Sequence, residues 1–182
     1  MNAWGLPVTA EIGGTQYAIN TDFRDVLEII KYLNDETRTV YARWRIALGL
    51  FYEGDIPDSH QEDAAKFLSD FIAYDNKDDK PGPKLIDWEQ DSPMIIADVN
   101  KVAGKEIRAE KYMHWWTFLS YFYSIGEGQL SNVVNIRSKK AKGKKLEKHE
   151  QEYYREHRQK VDFQTQDTQE KAAMQEYFNK WL

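Results

Sequence analysis

The sequence predicts an all-α fold: a multi-helix bundle of about seven or eight helices with a short N-terminal β-hairpin. Three observations support this prediction. Apolar residues recur every three to four positions along most of the chain, as they do on one face of an α-helix. Two short segments near the N-terminus flank a Gly-Gly pair that suits a tight hairpin turn. Aromatic residues number 25 among 182, which is enough to fill a core.

The hairpin is predicted over residues 8–19, with strands at 8–12 and 15–19 and Gly13-Gly14 at the turn. A type I′ turn needs positive φ at both central positions, and glycine adopts it without steric cost. Because an isolated hairpin is only marginally stable, we expect it to pack against the helices or against another chain.

The next three helices have the clearest periodicity. Thr21 or Asp22 is placed to cap the first helix, and Ser59 to cap the third. The predicted apolar faces are Phe23, Val26, Leu27, Ile29, Ile30 and Leu33 in the first helix, Val40, Trp44, Ala47, Leu48 and Phe51 in the second, and Ala64, Phe67, Leu68, Phe71 and Ile72 in the third.

The middle of the chain contains a loop and then three further helices. Residues 75–83 are charged and contain two prolines, which predicts a loop. Ser92-Pro93 predicts a helix start and Gly104 its end. The following helix, at about 109–125, is apolar on nearly all sides, which predicts a place inside the bundle or between subunits. Another helix begins with an apolar stripe of Leu130, Val133, Val134 and Arg137.

The composition changes after residue 137. Residues 139–148 are basic, and 146–161 are highly charged with a thin stripe of Leu146, Tyr153 and Lys160. We therefore predict a helical core domain at 1–137, including the hairpin, and a basic, charged helical arm at 138–182. The arm ends in an amphipathic C-terminal helix that carries Ala173, Met174, Tyr177, Phe178 and Trp181.

Composition excludes several classes of protein. The absence of cysteine removes disulfides, thiolate metal ligands and cysteine nucleophiles. A mean hydropathy of -0.75 and the lack of an apolar run near twenty residues argue against a membrane span. Residues 1–7 lack the basic and apolar regions of a signal peptide. We expect a soluble protein of a reducing cytoplasm.

The charge is distributed unevenly. Residues 137–148 contain seven Lys or Arg against one Glu, a net charge of +6, so the rest of the chain carries -11 of the total of -5. An acidic body with a short basic segment favours self-association or an acidic partner over a dedicated nucleic-acid domain. Aromatic residues also do not alternate with the lysines, as they do in single-strand binding platforms. Nucleic-acid binding is kept as the alternative for this segment.

No pattern indicates a catalytic, cofactor or metal site, and we predict that the protein is not an enzyme. No nucleophile or base stands at a recognisable offset from any of the four histidines, and His114 is interpreted as a hydrogen-bonded structural residue. The acidic groups at 75–79 and 87–91 lack the ligand pattern of a calcium loop and are interpreted as solvated loop charge or helix caps. Gly13-Gly14 lacks the context of a phosphate-binding loop.

Two sets of residues are candidates for binding a partner. The first is the basic run, and the second is the apolar stripe of the C-terminal helix, which either covers its own core or docks on another chain, as in domain swapping. The candidate residues are Arg137, Lys139, Lys140, Lys142, Lys144 and Lys145 in the run, and Met174, Tyr177, Phe178 and Trp181 in the stripe.

Three motifs carry a resemblance to a known family. They are Gln90-Asp91-Ser92-Pro93-Met94-Ile95-Ile96-Ala97-Asp98-Val99, His114-Trp115-Trp116-Thr117-Phe118, and Leu130-Ser131-Asn132-Val133-Val134-Asn135-Ile136-Arg137 followed by Lys139, Lys140, Lys142, Gly143 and Lys145. With segments 22–26 and 51–52, the similarity spans most of residues 20–158. The sequence resembles the bacteriophage gene-product-fifteen family of long-tailed phages and prophages of Gram-positive bacteria.

The resemblance implies a small tail-morphogenesis protein encoded just before the tape-measure protein. It implies a tail assembly chaperone that binds the tape-measure protein, helps to recruit tail-tube subunits, acts in the host bacterial cytoplasm and is absent from the mature virion. It brings no catalytic residue or cofactor, and its motif residues are interpreted as determinants of core and shape. A homo-oligomer is compatible with it, whereas neither a membrane nor nucleic acid is expected as a partner. The alternatives are a nucleic-acid-binding accessory protein that uses 137–148 and a minor structural tail component.

Overall fold

The computed structural model describes residues 5–74 and 82–164. Most of the predicted loop at 75–83 lies outside these residues. So does the predicted C-terminal helix with Met174, Tyr177, Phe178 and Trp181. Within the described residues the chain forms eight α-helices and one two-stranded antiparallel hairpin, which confirms the predicted fold class.

The elements follow one another in a simple order. They are β1 (Thr9–Ile12), β2 (Thr15–Ala18), α1 (Phe23–Leu33), α2 (Val40–Phe51), α3 (Gln61–Ala73), α4 (Ser92–Ala103), α5 (Trp115–Tyr123), α6 (Gln129–Ala141), α7 (Lys148–Glu156) and α8 (Arg158–Val161), with 3₁₀ helices at Asp58–His60 and Ile107–Ala109.

The chain divides into two compact units, each built from two stretches of sequence. Among the described residues, the first comprises 5–74 and Ala103–Ser124, and the second comprises 82–102 and 125–164. The boundary predicted between residues 137 and 138 lies inside α6.

The hairpin has the predicted turn. Gly13 and Gly14 have φ values of +57° and +80°, as a type I′ turn requires, and Ile12 pairs with Thr15 across it. A side chain on Gly13 would also collide with the ring of His60, because a β-carbon at this position would overlap the ring atoms. Gly13 therefore meets two requirements, one of backbone conformation and one of space.

The starts of the first three helices agree only in part with the sequence. Asp22 caps α1 by accepting a hydrogen bond from the backbone N–H of Arg24 at 3.0 Å, as predicted. The prediction that Ser59 caps α3 is wrong, because Ser59 lies inside the 3₁₀ helix Asp58–His60 and α3 begins at Gln61. The N–H of His60 donates to the carbonyl of Pro57, so the chain is already turning before α3 begins.

The predicted helix at about 109–125 is shorter than expected and begins only at Trp115. Residues before it form an antiparallel bridge instead: the N–H of Phe23 donates to Met113 O, and the N–H of Trp115 donates to Thr21 O. The Asp22 carboxylate also accepts a hydrogen bond from the N–H of Met113. These backbone groups are used by the bridge, so the helix cannot extend toward residue 109.

The core of the first unit is largely aromatic. Phe51, Trp115 and Phe118 are almost completely buried, and the ring of Phe118 stacks on Phe23 at a centroid distance of 4.8 Å. Only one face of α5 is buried, because Tyr123 on the same helix is half exposed. The helix is therefore not enclosed on all sides within the described residues, and its predicted alternative place, between subunits, stays a prediction.

The core of the second unit comes from several helices. Val99 of α4, Val133 and Ile136 of α6, and Val161 of α8 are at most 2% exposed. The charged segment 146–161 thus supplies a core residue, Val161, that the predicted stripe did not include. Lys160, which was assigned to that stripe, is exposed.

Candidate protein-interaction site

The basic run begins on α6 and continues past its end. The helix closes with a Schellman motif: the N–H of Lys144 donates to Lys139 O at 2.8 Å, and the N–H of Gly143 donates to Lys140 O at 3.0 Å. Gly143 has a φ of +64°, the left-handed conformation that this motif needs. The motif ends α6 at Ala141, after Lys139 and Lys140. The later lysines of the run therefore lie between the end of α6 and the first residue of α7, Lys148.

Arg137, the first cation of the run, is buried. Its guanidinium forms a bidentate ion pair with Asp91, at 2.5 Å from Nη1 to Oδ2 and 2.9 Å from Nη2 to Oδ1. The two side chains are 4% and 0% exposed. This placement shows that Arg137 is not a surface cation of the basic run. Of the two interpretations given for the acids at 87–91, solvated loop charge is wrong for Asp91, which directly precedes α4 and whose carbonyl accepts a hydrogen bond from the N–H of Ile95.

The remaining N–H groups of Arg137 bind backbone carbonyls. Nε donates to Val161 O at 2.7 Å, Nη1 to Leu85 O at 2.9 Å, and Nη2 to Lys160 O at 2.8 Å. With the two bonds to Asp91, all five guanidinium N–H groups have an acceptor. Arg137 therefore links α6 to the end of α8 and to the segment before α4 through hydrogen bonds. None of its N–H groups is left to bind a partner.

The next two cations are also engaged within the unit. Lys139 Nζ lies 2.6 Å from Glu150 Oε1, and Lys140 Nζ lies 2.5 Å from Asp162 Oδ1 and 2.7 Å from the hydroxyl of Tyr154. The hydrogen bond with Glu150 raises the pKa of Lys139, and the same bond lowers the pKa of Glu150. Lys139 and Lys140 are thus part of the internal structure of this unit.

The last four lysines have no such role. Lys142, Lys144, Lys145 and Lys148 are exposed, and among residues 5–74 and 82–164 none of their side chains forms a hydrogen bond or ion pair. We call these four residues the lysine loop. Of the six basic candidates, the structure leaves Lys142, Lys144 and Lys145 free to bind a partner, together with Lys148.

His114, in the first unit, is a structural residue, as predicted. It is 2% exposed and caps α5, because its Nδ1 accepts a hydrogen bond from the N–H of Trp116 at 3.1 Å. Nδ1 is then an acceptor, so Nε2 carries the proton and donates to Pro7 O at 3.0 Å. Burial lowers the pKa of His114, which favours this neutral form.

The two tryptophans of the His-Trp-Trp motif are held in the same way. The indole N–H of Trp115 donates to Ile72 O at 3.1 Å, and that of Trp116 donates to Phe71 O at 3.0 Å. The motif therefore joins the start of α5 to the end of α3 through side-chain donors. Its residues determine core and shape, as the resemblance implied.

Each unit has an open groove among its described residues. The groove of the first unit, about 380 Å³, is lined by Leu33, Val40, Arg43, Trp44, Ser69, Ile72 and Ala73. The groove of the second unit, about 430 Å³, is lined by Gln90, Pro93, Met94, Ala97, Asp98, Gln129, Gln159, Lys160 and Gln164. Within the described residues, neither groove contains a nucleophile paired with a base.

Metal-binding clusters and membrane-spanning helices are both absent from the part of the chain that the structure describes. No group of three or more His, Asp or Glu within 5–74 and 82–164 is arranged to hold a metal ion. None of the helices in these ranges has the length and apolar character needed to cross a membrane.

Comparison with known families gives one match. The family model described as "Bacteriophage Gp15 protein" matches residues 5–163, which is most of the chain and includes the Asp91–Arg137 pair, the His-Trp-Trp motif and the lysine loop. Comparisons with curated proteins and with solved structures found no match. The extent of the family match shows that the chain belongs to the bacteriophage Gp15 protein family.

Proposed function

We propose that this phage protein is a tail assembly chaperone that binds the tape-measure protein, tail-tube subunits or both, and that it acts without catalysis in the host bacterial cytoplasm. Family membership supports a role in a phage, and the resemblance described above supports the tail. The observation that carries the binding role is the lysine loop, since the neighbouring cations Arg137, Lys139 and Lys140 are already engaged within the unit.

The chemistry of the lysine loop suits an acidic segment of a protein partner. Each exposed ion pair contributes only about 0.2–1 kcal/mol, so the four lysines add to the affinity of a larger contact surface and do not supply that affinity alone. A chaperone must release its client when the tail assembles, and weak, distributed contacts allow that release. Exposed charges are also screened by salt, which makes this binding sensitive to ionic strength.

The proposal is tested by co-expression with the adjacent tape-measure gene. The soluble fraction of the tape-measure protein and its co-purification with this chain are the two measurements. The test variant replaces all four lysines of the lysine loop with Gln. The control, matched in net charge, replaces four exposed lysines elsewhere, Lys66, Lys101, Lys105 and Lys111, with Gln. It also removes the surface ion pairs of Lys66 with Asp70 and of Lys105 with Glu110, which contribute at most about 1 kcal/mol each.

Wild type and control are expected to keep the tape-measure protein soluble and to co-purify with it, whereas the lysine-loop variant recovers several-fold less. Equal recovery by both variants at low salt removes the lysine loop as the contact. Failure of the wild type to solubilise either tape-measure protein or tail-tube subunits contradicts the chaperone proposal. Detection of the chain in purified virions favours a minor structural tail component instead.

The lysine loop also supports a second candidate, an accessory protein that binds nucleic acid. Exposed lysines without internal partners can neutralise phosphates, and such binding weakens steeply between about 50 mM and 200 mM salt. A gel shift with wild type and lysine-loop variant at both salt concentrations separates the candidates. A shift at low salt that the variant abolishes favours nucleic acid, and no shift favours the protein partner.

A further inference from the structure

The first unit carries a surface segment with charge opposite to that of the lysine loop. Residues 53–63, between α2 and the first turn of α3, contain five acids and no Lys or Arg. All five side chains are exposed. We call them the acidic segment: Glu53, Asp55, Asp58, Glu62 and Asp63.

The acids of this segment have few partners of their own. Asp58 accepts a hydrogen bond from Gln61 and lies 3.8 Å from Arg45, but its side chain remains 96% exposed. For the other four acids, no side-chain hydrogen bond or ion pair exists among the described residues. Glu62 and Asp63 lie in the first turn of α3, where the helix dipole favours acids. Apart from that and the contact of Asp58 with Arg45, the negative charge of the segment has no partner among the described residues.

Both charged segments are held at their bases by a side-chain contact. The Tyr52 hydroxyl donates to Ala64 O at 2.9 Å, in a buried hydrogen bond that closes the acidic segment. Lys139 and Glu150 close the lysine loop in the same way. Ordering each segment before binding reduces the entropy lost on association. The acidic segment and the lysine loop are therefore two ordered surfaces of opposite charge, as electrostatic complementarity between binding surfaces requires.

We propose that the lysine loop of one copy binds the acidic segment of a second copy of this chain. The two surfaces are different patches, so the contact is heterologous, and each bound pair presents one unused surface of each sign. Repetition of such a contact closes into a ring or extends as a filament. Self-association of this kind goes beyond the proposed function, because it needs no client.

The test measures the mass of the full chain by light scattering and sedimentation at about 50 mM and about 200 mM salt, where exposed charges are screened differently. Three variants are compared with wild type. The first is the lysine-loop variant with four Lys→Gln changes, and the second neutralises the acidic segment with Glu53→Gln, Asp55→Asn, Glu62→Gln and Asp63→Asn. The third is the Lys66/Lys101/Lys105/Lys111→Gln control. Far-UV circular dichroism and thermal melts verify that each variant folds.

Wild type and control are expected to increase in mass with concentration at low salt and to dissociate at the higher salt. Each of the two neutralised variants remains monomeric alone. Mixed together, they form a one-to-one pair that grows no further, because only one intact surface of each sign remains. This mixing experiment distinguishes a heterologous contact from a general effect of net charge.

Three results overturn the proposal: a monomeric wild type at low salt, self-association that survives either neutralisation, or a mixture in which no pair forms. The proposed function is tested separately, because the acidic-segment variant keeps the lysine loop and should still recover the tape-measure protein.

Discussion

Arg137 and Asp91 form a bidentate ion pair inside the second compact unit, although 46 residues separate them in the sequence. Neither side chain reaches solvent to any appreciable extent. Removing two charges from water is costly, and the cost is offset here because every guanidinium N–H has an acceptor. The pair is therefore sensitive to the loss of either member.

The first prediction concerns this pair. Asp91→Asn leaves the guanidinium buried without its counter-charge, and we expect the free energy of unfolding to fall by about 3–5 kcal/mol. Urea denaturation followed by circular dichroism measures the loss. Glu152→Gln, at an exposed position of α7, is the control and should change stability by less than about 0.5 kcal/mol. A loss below about 1 kcal/mol for Asp91→Asn would mean that the pair is solvated in solution.

The second prediction concerns pH and His114. Burial lowers the pKa of His114 from its ordinary value of 6.5. The unfolded chain then binds a proton at this residue at a higher pH than the folded chain does. Stability should therefore fall as the pH drops below 6.5, until the folded pKa is reached.

The measurement is the urea midpoint between about pH 7.5 and about pH 5, compared for wild type and His114→Asn. Asparagine is also a good helix cap, so it retains an acceptor for the N–H of Trp116 but does not titrate. The variant should lose the part of the pH dependence that His114 contributes. Parallel curves for the two proteins would show that His114 is not the titrating group.

The third prediction concerns the hairpin turn. Gly13→Ala places a methyl group against the ring of His60 and also forces alanine into positive φ. Gly14→Ala suffers only the conformational cost, about 1–2 kcal/mol, because no atom lies within 4 Å of its new β-carbon. Gly13→Ala should therefore be the more destabilising change, as measured by thermal melts.

The double variant Gly13→Ala/His60→Ala provides the control for the steric part. The loss of stability from His60→Ala to the double variant should be no larger than the loss from wild type to Gly14→Ala. If Gly13→Ala lowers stability equally with and without the His60 ring, the ring moves aside in the single variant.

The fourth prediction concerns Glu150. Its hydrogen bond with Lys139, and then that with the backbone N–H of Glu147, hold the pKa of Glu150 below its ordinary value of 4.5. A carboxyl group of this kind contributes stability above its unfolded pKa and loses the contribution as pH falls through its folded pKa. Wild type should exceed Glu150→Gln in stability at about pH 7, and the difference should shrink below pH 4.5. A difference that does not change with pH would contradict the ion pair.

Periodicity predicted the helices well, because their faces are local in sequence. The apolar faces of α1, α2 and α3 each contain three of the buried residues that the spacing indicated. The start of α5 could not be predicted in this way. It depends on a bridge between residues 21–23 and 113–115, and a contact over some 90 residues leaves no periodic signal.

The candidate site was predicted only in outline. Composition identified the basic run, but it could not separate the engaged cations from the free ones, because that division depends on where Asp91, Glu150 and Asp162 lie in space. One signal was available for Arg137. It falls on the same helical stripe as Leu130 and Val133, seven and four residues earlier, and this stripe is the buried face of α6.

The divided sequence of the first compact unit has a consequence for synthesis on the ribosome. Trp115 and Phe118, which pack on the α3 end and on Phe23, are translated after the whole of α4. A nascent chain that has released only residues 5–74 lacks the side chains that finish its own core, and the apolar surfaces of α1 and α3 that α5 contacts stay uncovered. Ribosome stalling before codon 115 should therefore leave an aggregation-prone polypeptide, whereas release of the chain through residue 124 should cover these faces.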